Sequence, residues 1–176
     1  YNHSRNAMTT NELKSELYLS DLIWLDTMNP FIVKTGTCHL LSALYLNVAS
    51  WIGERMTEPL KKVEARILEL AKNSSEVQDF LNNLKSTDAY SWRIIDGTSR
   101  KSFHSYGIAI DILPKSQGGK QIFWSWAADK YPTTWMLVPL KNRWMPPDSV
   151  IKIFEDEGFI WGGKWIIWDN MHFEYR

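Results

Sequence analysis

Cysteine, net charge and long apolar runs are scarce in this chain. Cys38 is the single cysteine, so the chain forms no internal disulfide and no zinc site made of several cysteines. Lysine plus arginine number 20, as do aspartate plus glutamate, so the charge gives no reason to expect a nucleic acid as partner. No apolar run reaches the roughly 18 residues of a membrane span. Composition leaves the oligomeric state open.

Tryptophan, by contrast, is abundant, with ten in 176 residues. These side chains either fill an aromatic core or, in part, line a cleft, since aromatic faces bind apolar and sugar-like ligands. The length suits one domain with a substantial core and is short for two. We therefore predict a single domain over 1–176, with a helical N-terminal part in 1–86 and a core carrying the chemistry in 87–176.

The first part is predicted to be helical because its apolar residues recur at helical spacing. The apolar segments are 11–25, 40–52, 57–73 and 75–84. In the segment 57–73, Thr57 is a helix-capping residue, and Pro59 lies in the first turn, where its missing N–H leaves no hydrogen bond unmade. In the segment 75–84, Ser74 and Ser75 are candidate caps.

The second part is predicted to contain strands around one helix. Apolar residues alternate from Gly107 to Leu113, which places Asp111 on the face opposite the isoleucines. The order of helices followed by strands favours an α+β fold. The predicted strands are 90–95, 107–113 and the region from Phe159 onward, and the predicted helix is 146–157 with Gly158 as its cap.

Two histidines and two aspartates of this part are candidates for metal chemistry. They are His104, Asp111, Asp169 and His172. Two histidine nitrogens and one carboxylate oxygen suit a zinc ion with an open fourth position for water, and a spare carboxylate can carry a proton in hydrolysis. His104 and Asp111 both face one site if a loop that bends at Gly107 leads into the strand.

Asp169 and His172 are three residues apart, so on a straight strand they would face opposite sides of the sheet. Both reach one cavity only if Asn170-Met171 forms a kink or turn. Two histidines and a carboxylate also form the facial triad of non-haem iron oxygenases. That triad places its first histidine and carboxylate two residues apart rather than seven, so it is the weaker interpretation.

The pattern Ser102-x-His104-x-x-Gly107-x-Ala109-x-Asp111 resembles the first zinc motif of the D-alanyl-D-alanine carboxypeptidase family of metallopeptidases. This family also contains D-Ala-D-Ala dipeptidases and phage endolysins that cut L-alanyl-D-glutamate bonds. A second resemblance, to the C-terminal motif of the family and especially of its endolysin branch, lies in Gly158-Phe159-x-Trp161-Gly162-Gly163-x-Trp165 and Asp169-x-x-His172-Phe173-Glu174.

The resemblance implies a role for each residue of the two motifs. His104, Asp111 and His172 would bind Zn²⁺, and Asp169 would be the general base. Glu174 would support a ligand imidazole, unless it is a solvent-facing strand residue. Ser102 would make a hydrogen bond near the site, although its hydroxyl also suits a turn.

A cationic residue would stabilise the oxyanion, and here the chain departs from its relatives. Their arginine lies on a strand followed by a helix, and no room for that helix exists between Arg93 and the first motif. Arg93 is our choice for this role, and Arg100 is the alternative. The candidates for gripping a free substrate carboxylate are Arg100, Lys101 and Lys164.

The implied fold is hedgehog/D,D-peptidase-like, with a small antiparallel sheet that carries the zinc site and packs against helices. The implied activity is hydrolysis of peptidoglycan stem peptides by a D-alanyl-D-alanine carboxypeptidase. The alternatives are an endolysin-like L-alanyl-D-glutamate endopeptidase and a non-catalytic zinc-bearing binding module. Such a substrate implies an exported, periplasmic or cell-envelope protein. His39, beside Cys38, is predicted to be a core residue, and His3 to lie in a terminal segment.

Overall fold

The computed structural model describes residues 32–34, 51–95 and 98–176. The predictions for the segment 11–25, for most of 40–52, and for His3, Cys38 and His39 lie outside these residues. Two short antiparallel strands, β1 (Ile32–Lys34) and β2 (Trp51–Gly53), pair so that Ile32 lies opposite Gly53.

Two helices follow β2. The first, α1, spans Glu54–Ala71, so the predicted start at Thr57 was wrong by one turn. The earlier start buries Met56 completely, and the missing N–H of Pro59 affects only a bond to the first turn. The second helix, α2, spans Ser75–Asn82, and the Ser74 hydroxyl accepts a hydrogen bond from the Val77 N–H as predicted.

The remaining elements form a sheet with two helices. Its strand order is β3-β4-β6-β5, and every neighbouring pair is antiparallel. This architecture confirms the predicted α+β fold. The strands are β3 (Leu84–Asp88), β4 (Ala109–Pro114), β5 (Phe159–Trp161) and β6 (His172–Tyr175), and the helices are α3 (Trp124–Lys130) and α4 (Asp148–Asp156).

The prediction of a strand over 90–95 was wrong. Only Ile94 forms an isolated bridge, with Lys101, and the strand beside β4 is the preceding segment, β3. The buried hydroxyl of Ser105 accepts from the Arg93 N–H at 2.8 Å and donates to the Arg93 carbonyl oxygen at 2.8 Å. The Arg93 N–H is therefore bound by a side chain, and its carbonyl oxygen is shared between Ser105 and the Ser102 N–H, which donates to it at 3.0 Å, so the pairing does not extend beyond one bridge.

One core holds α1, α2 and α4 against the sheet. Met56, Leu60, Val63 and Ile67 follow one face of α1 at helical spacing, and all four are buried. From the other elements, the core receives Val77, Phe80, Ile110, Ile112, Val150, Phe154, Phe159 and Phe173. At the surface, Arg66 of α1 pairs with Asp156 and Glu157 at 2.7 and 2.8 Å. None of the helices in the described ranges is both long and apolar enough to cross a membrane.

Some tryptophans lie in the core, and another lies beside the candidate site. Trp144, Trp161 and Trp168 are buried, and Trp168 packs with Ala127 and Val138 in a smaller second cluster. The ring of Trp165 lies 5.4 Å from that of His172, between ring centroids, so this indole borders the candidate site.

Candidate metal centre

The candidate site lies on one face of the sheet, where three strands place side chains in a row. Asp111 of β4 is opposite His172 of β6 and, on its other side, opposite Asp88 of β3. Directly opposed residues of an antiparallel pair project from the same face. His104 joins this row from a 3₁₀ helix, Phe103–Tyr106, and Gly107 ends that helix with a φ of 65°, in the left-handed region that favours glycine.

Three side chains meet at short range within this row. His104 Nε2 lies 3.2 Å from Asp111 Oδ1, His172 Nδ1 lies 2.9 Å from the same oxygen, and the two nitrogens are 3.1 Å apart. All three residues are buried, and their donor atoms lie within 4.8 Å of one another. Four ligands placed tetrahedrally at the usual zinc distances are roughly 3.3 Å apart. Both the spacing and the donor types therefore fit a zinc ion.

Backbone contacts orient the His104 imidazole. Its Nδ1 lies 2.7 Å from the Ala89 carbonyl oxygen, which can only accept, so Nδ1 carries the proton and Nε2 is free to bind a metal. The Ser102 hydroxyl accepts from the His104 N–H at 3.3 Å and begins the 3₁₀ helix. Ser102 thus caps the 3₁₀ helix that positions the His104 imidazole.

His172 is held from both sides by carboxylates. Its Nδ1 faces Asp111, while its Nε2 lies 3.5 Å from Glu174 Oε2. Burial opposes protonation of His172, but hydrogen bonds to Asp111 and Glu174 prevail and raise its pKa to about 9. Burial likewise disfavours the Asp111 anion, yet hydrogen bonds from the two imidazoles hold the pKa of this carboxyl well below its usual range.

Asp169 lies beside this group in a turn. Asn170 and Met171 form the turn, and β6 begins at His172, which is the geometry required for both side chains to face one site. Asp169 Oδ1 is buried and has no hydrogen-bond partner in the described part of the chain. Burial, followed by the charge of Asp111, raises the pKa of Asp169 to about 7. A carboxylate with such a pKa can take up and release a proton near neutral pH.

The two candidate arginines differ in position. Arg93 Nη2 lies 3.9 Å from Asp111 Oδ2, and its side chain is 53% exposed, so the guanidinium stands at the mouth of the site. Arg100 belongs to an exposed bend, and the described residues give its side chain no ion pair with the site. Of the two, the structure brings only Arg93 to the metal-ligand group.

Two of the candidates for gripping a carboxylate have other contacts. Lys164 Nζ forms an ion pair with Glu155 at 2.5 Å. The ammonium of Lys101 lies 5.7 Å from the ring centroid of Trp92. Arg100 is therefore the candidate that keeps an exposed cation without such a contact among the described residues.

Three further residues shape the site, and the sequence patterns gave no indication of two of them, Asp88 and Ser105. Asp88 enters the row only through the register of β3, and Ser105 matters through its bonds to the Arg93 backbone. Gly162 lies against Asp169: a Cβ at this glycine would be 2.7 Å from the Asp169 carbonyl oxygen. The pair Gly162-Gly163 was a visible signal for this close approach, whereas Asp88 and Ser105 had none.

Comparison with known proteins agrees with this geometry. Residues 96–175 match the model of a family described as D-alanyl-D-alanine carboxypeptidase. The matched range contains His104, Asp111, Asp169 and His172, and it begins just after Arg93. No curated protein and no solved structure matches the chain.

Proposed function

We propose that the chain is a zinc-dependent peptidase of peptidoglycan stem peptides, because residues 96–175 match the model of the D-alanyl-D-alanine carboxypeptidase family. The observation that carries the proposal is the buried group of His104, Asp111 and His172 with Asp169 beside it. We assign the first three as zinc ligands. The same substrate implies a location in the periplasm or cell envelope.

In the proposed reaction, water adds to the peptide carbonyl carbon and the carbon–nitrogen bond breaks. Asp169 accepts the proton of the attacking water at Oδ1 and delivers it to the leaving amine nitrogen. Oδ1 suits this task because no other group of the described residues occupies it. The Arg93 guanidinium stabilises negative charge on the former carbonyl oxygen. A bound zinc ion supplies Lewis acidity toward the carbonyl and toward water.

We place D-alanyl-D-alanine carboxypeptidase first and L-alanyl-D-glutamate endopeptidase second. The endopeptidase is favoured by the aspartate at position 169, the residue type that the chain shares with the endolysin branch. A carboxypeptidase requires a cation for the terminal carboxylate of its substrate. Arg100 supports that activity, since it is exposed and, in the part of the chain that is described, unpaired by any acidic side chain.

Mass spectrometry of muropeptides incubated with the zinc-loaded protein tests the proposal. Loss of one alanine identifies a carboxypeptidase, and release of the stem identifies the endopeptidase. Protein treated with a chelator should give no product, and zinc should restore it. Absence of product with the zinc-loaded protein would instead favour a non-catalytic zinc-bearing module.

A further inference from the structure

Asp88 is the one member of the row across the sheet to which the proposed reaction gives no task. It lies directly opposite Asp111 in the β3–β4 pair, so two carboxylates project side by side from one face. Like charges placed directly opposite each other destabilise a sheet. A cation placed between the two carboxylates would offset this repulsion.

Among the described residues, the positively charged or proton-donating groups of the site form no direct contact with the Asp88 carboxylate. His104 and His172 both direct their nitrogens to Asp111. The charges of His104 and Arg93 are also felt by Asp88, but Arg93 Nη2 is placed 3.9 Å from Asp111, and no ion pair of the described residues includes Asp88. Asp88 also lies outside the group of three donor atoms that are close enough to share a metal.

The surroundings of Asp88 favour binding of a positive charge from outside. Its side chain is exposed, and it is the end of the row that solvent reaches, while Asp111 and His172 are buried. An ammonium group placed beside this carboxylate would offset the neighbouring charge of Asp111.

We propose that Asp88 is a specificity-determining residue that binds a side-chain ammonium group of the substrate, as carried by a diamino acid close to the scissile bond. This role rests on the proposed function, and it means that the protein selects stem peptides that contain a diamino acid. Adjacent strands are about 4.8 Å apart, so Asp88 is one strand spacing from the ligand Asp111. A diamino acid one or two residues from the scissile bond spans this distance.

Two peptides that differ only in one amine test the inference on the full zinc-loaded chain. One is a stem peptide with L-lysine as its diamino acid, and the other carries Nε-acetyl-lysine at that position. The readout is the ratio of their kcat/KM values. We expect about a tenfold preference for the free amine, which Asp88→Asn reduces toward one. Asp129→Asn, which removes an exposed carboxylate of α3, should keep the preference.

Using a ratio separates recognition from general damage. A change in metal affinity or folding alters both peptides alike and leaves the ratio unchanged, and an Asp88→Asn protein that keeps the wild-type preference overturns the inference. Loss of zinc from this variant would also overturn it, because Asp88 would then be a ligand.

Equilibrium binding keeps the inference apart from the proposed activity. With zinc-loaded Asp169→Ala protein, calorimetry should give a lower Kd for the free-amine peptide, and adding Asp88→Asn should remove the difference. This outcome supports the inference even if the wild-type protein hydrolyses neither peptide, which would contradict only the peptidase. Equal Kd values for the two peptides, or binding of neither, would refute the role of Asp88.

Discussion

The Nδ1 atom of His104 donates a hydrogen bond to the carbonyl oxygen of Ala89 across 2.7 Å, and this contact directs Nε2 of the same ring to Asp111. Ala89 follows β3 directly, so the strand that carries Asp88 also sets the orientation of a proposed zinc ligand. The edge strand of the sheet is therefore part of the site.

Replacement of Asp169 should separate catalysis from metal binding. Asp169→Ala removes the proposed proton carrier but none of the three donor atoms, so we expect hydrolysis to fall by about 10²–10⁴-fold while one zinc per chain remains. Elemental analysis and single-turnover assays of the same preparation measure both quantities. Loss of zinc along with activity would show that Asp169 is a ligand, contrary to its assigned role.

Replacement of Arg93 should act on turnover more than on binding. Its guanidinium stands 3.9 Å from Asp111 at the mouth of the site, where the proposed reaction would develop negative charge on the carbonyl oxygen. We expect Arg93→Ala to lower kcat by about a hundredfold with a smaller change in KM, and Arg93→Lys to recover part of the rate. Arg100→Ala is the matched control, and it should affect KM for a terminal carboxylate instead. If Arg93→Ala left the rate unchanged, the oxyanion role would pass to Arg100.

Replacement of Glu174 should weaken zinc binding without removing a ligand. Glu174 Oε2 lies 3.5 Å from His172 Nε2, and Glu174 also pairs with Arg176, whose Nε donates to it at 2.8 Å. A carboxylate behind a ligand imidazole raises its basicity and fixes its ring. We expect Glu174→Gln to raise the zinc Kd by about 10–100-fold in a competition titration with a chromophoric chelator.

The control for this prediction is Arg176→Gln. Arg176 is 58% exposed, and its guanidinium pairs with Glu174 and lies over the ring of Phe103, so its loss should change zinc affinity less than the loss of Glu174 does. Equal effects of the two substitutions would indicate that Glu174 acts through folding and not through His172.

Features of the fold that depend only on neighbouring residues in the chain could be predicted from the sequence, whereas features that depend on distant residues could not. The turn at Gly107, the turn Asn170-Met171 and the alternation around Asp111 are local, and the structure has all three. The segment Leu84–Asp88 has little strand character of its own and becomes a strand by pairing with β4. Tyr90–Ile95 has strand composition, but the Ser105 hydroxyl binds the N–H and the carbonyl oxygen of Arg93, and only Ile94 forms a bridge.

In the candidate site, too, the features carried by local motifs could be predicted, and those that depend on strand pairing could not. The resemblance of the two motifs to a known family predicted which histidines and aspartates come together, and the donor atoms of His104, Asp111 and His172 do lie within 4.8 Å of one another. The position of Asp88 depends on strand register, which no pattern in its own segment specifies. The contact of Ala89 uses a backbone oxygen, which every residue has.

Gly162 should prove necessary for the placement of Asp169. A Cβ at this position would lie 2.7 Å from the Asp169 carbonyl oxygen and 3.3 Å from the Asp169 Cβ, so Gly162→Ala must displace the proposed base. The three donor atoms are untouched, so zinc should still bind. A displacement of about 1 Å at a reacting group can cost roughly a hundredfold in rate, and we expect a loss of that order in kcat.

Gly118→Ala distinguishes this effect from a simple loss of stability. Gly118 has a φ of 58°, so alanine strains the backbone there, but its Cβ would meet no atom within 4 Å. We expect this control to lower the melting temperature while kcat is retained, because the strained loop has no contact with Asp169. Thermal melts and rate measurements on both variants make the comparison. Retained turnover in Gly162→Ala would mean that Asp169 tolerates displacement, which a proton carrier that must reach both water and the leaving amine cannot do.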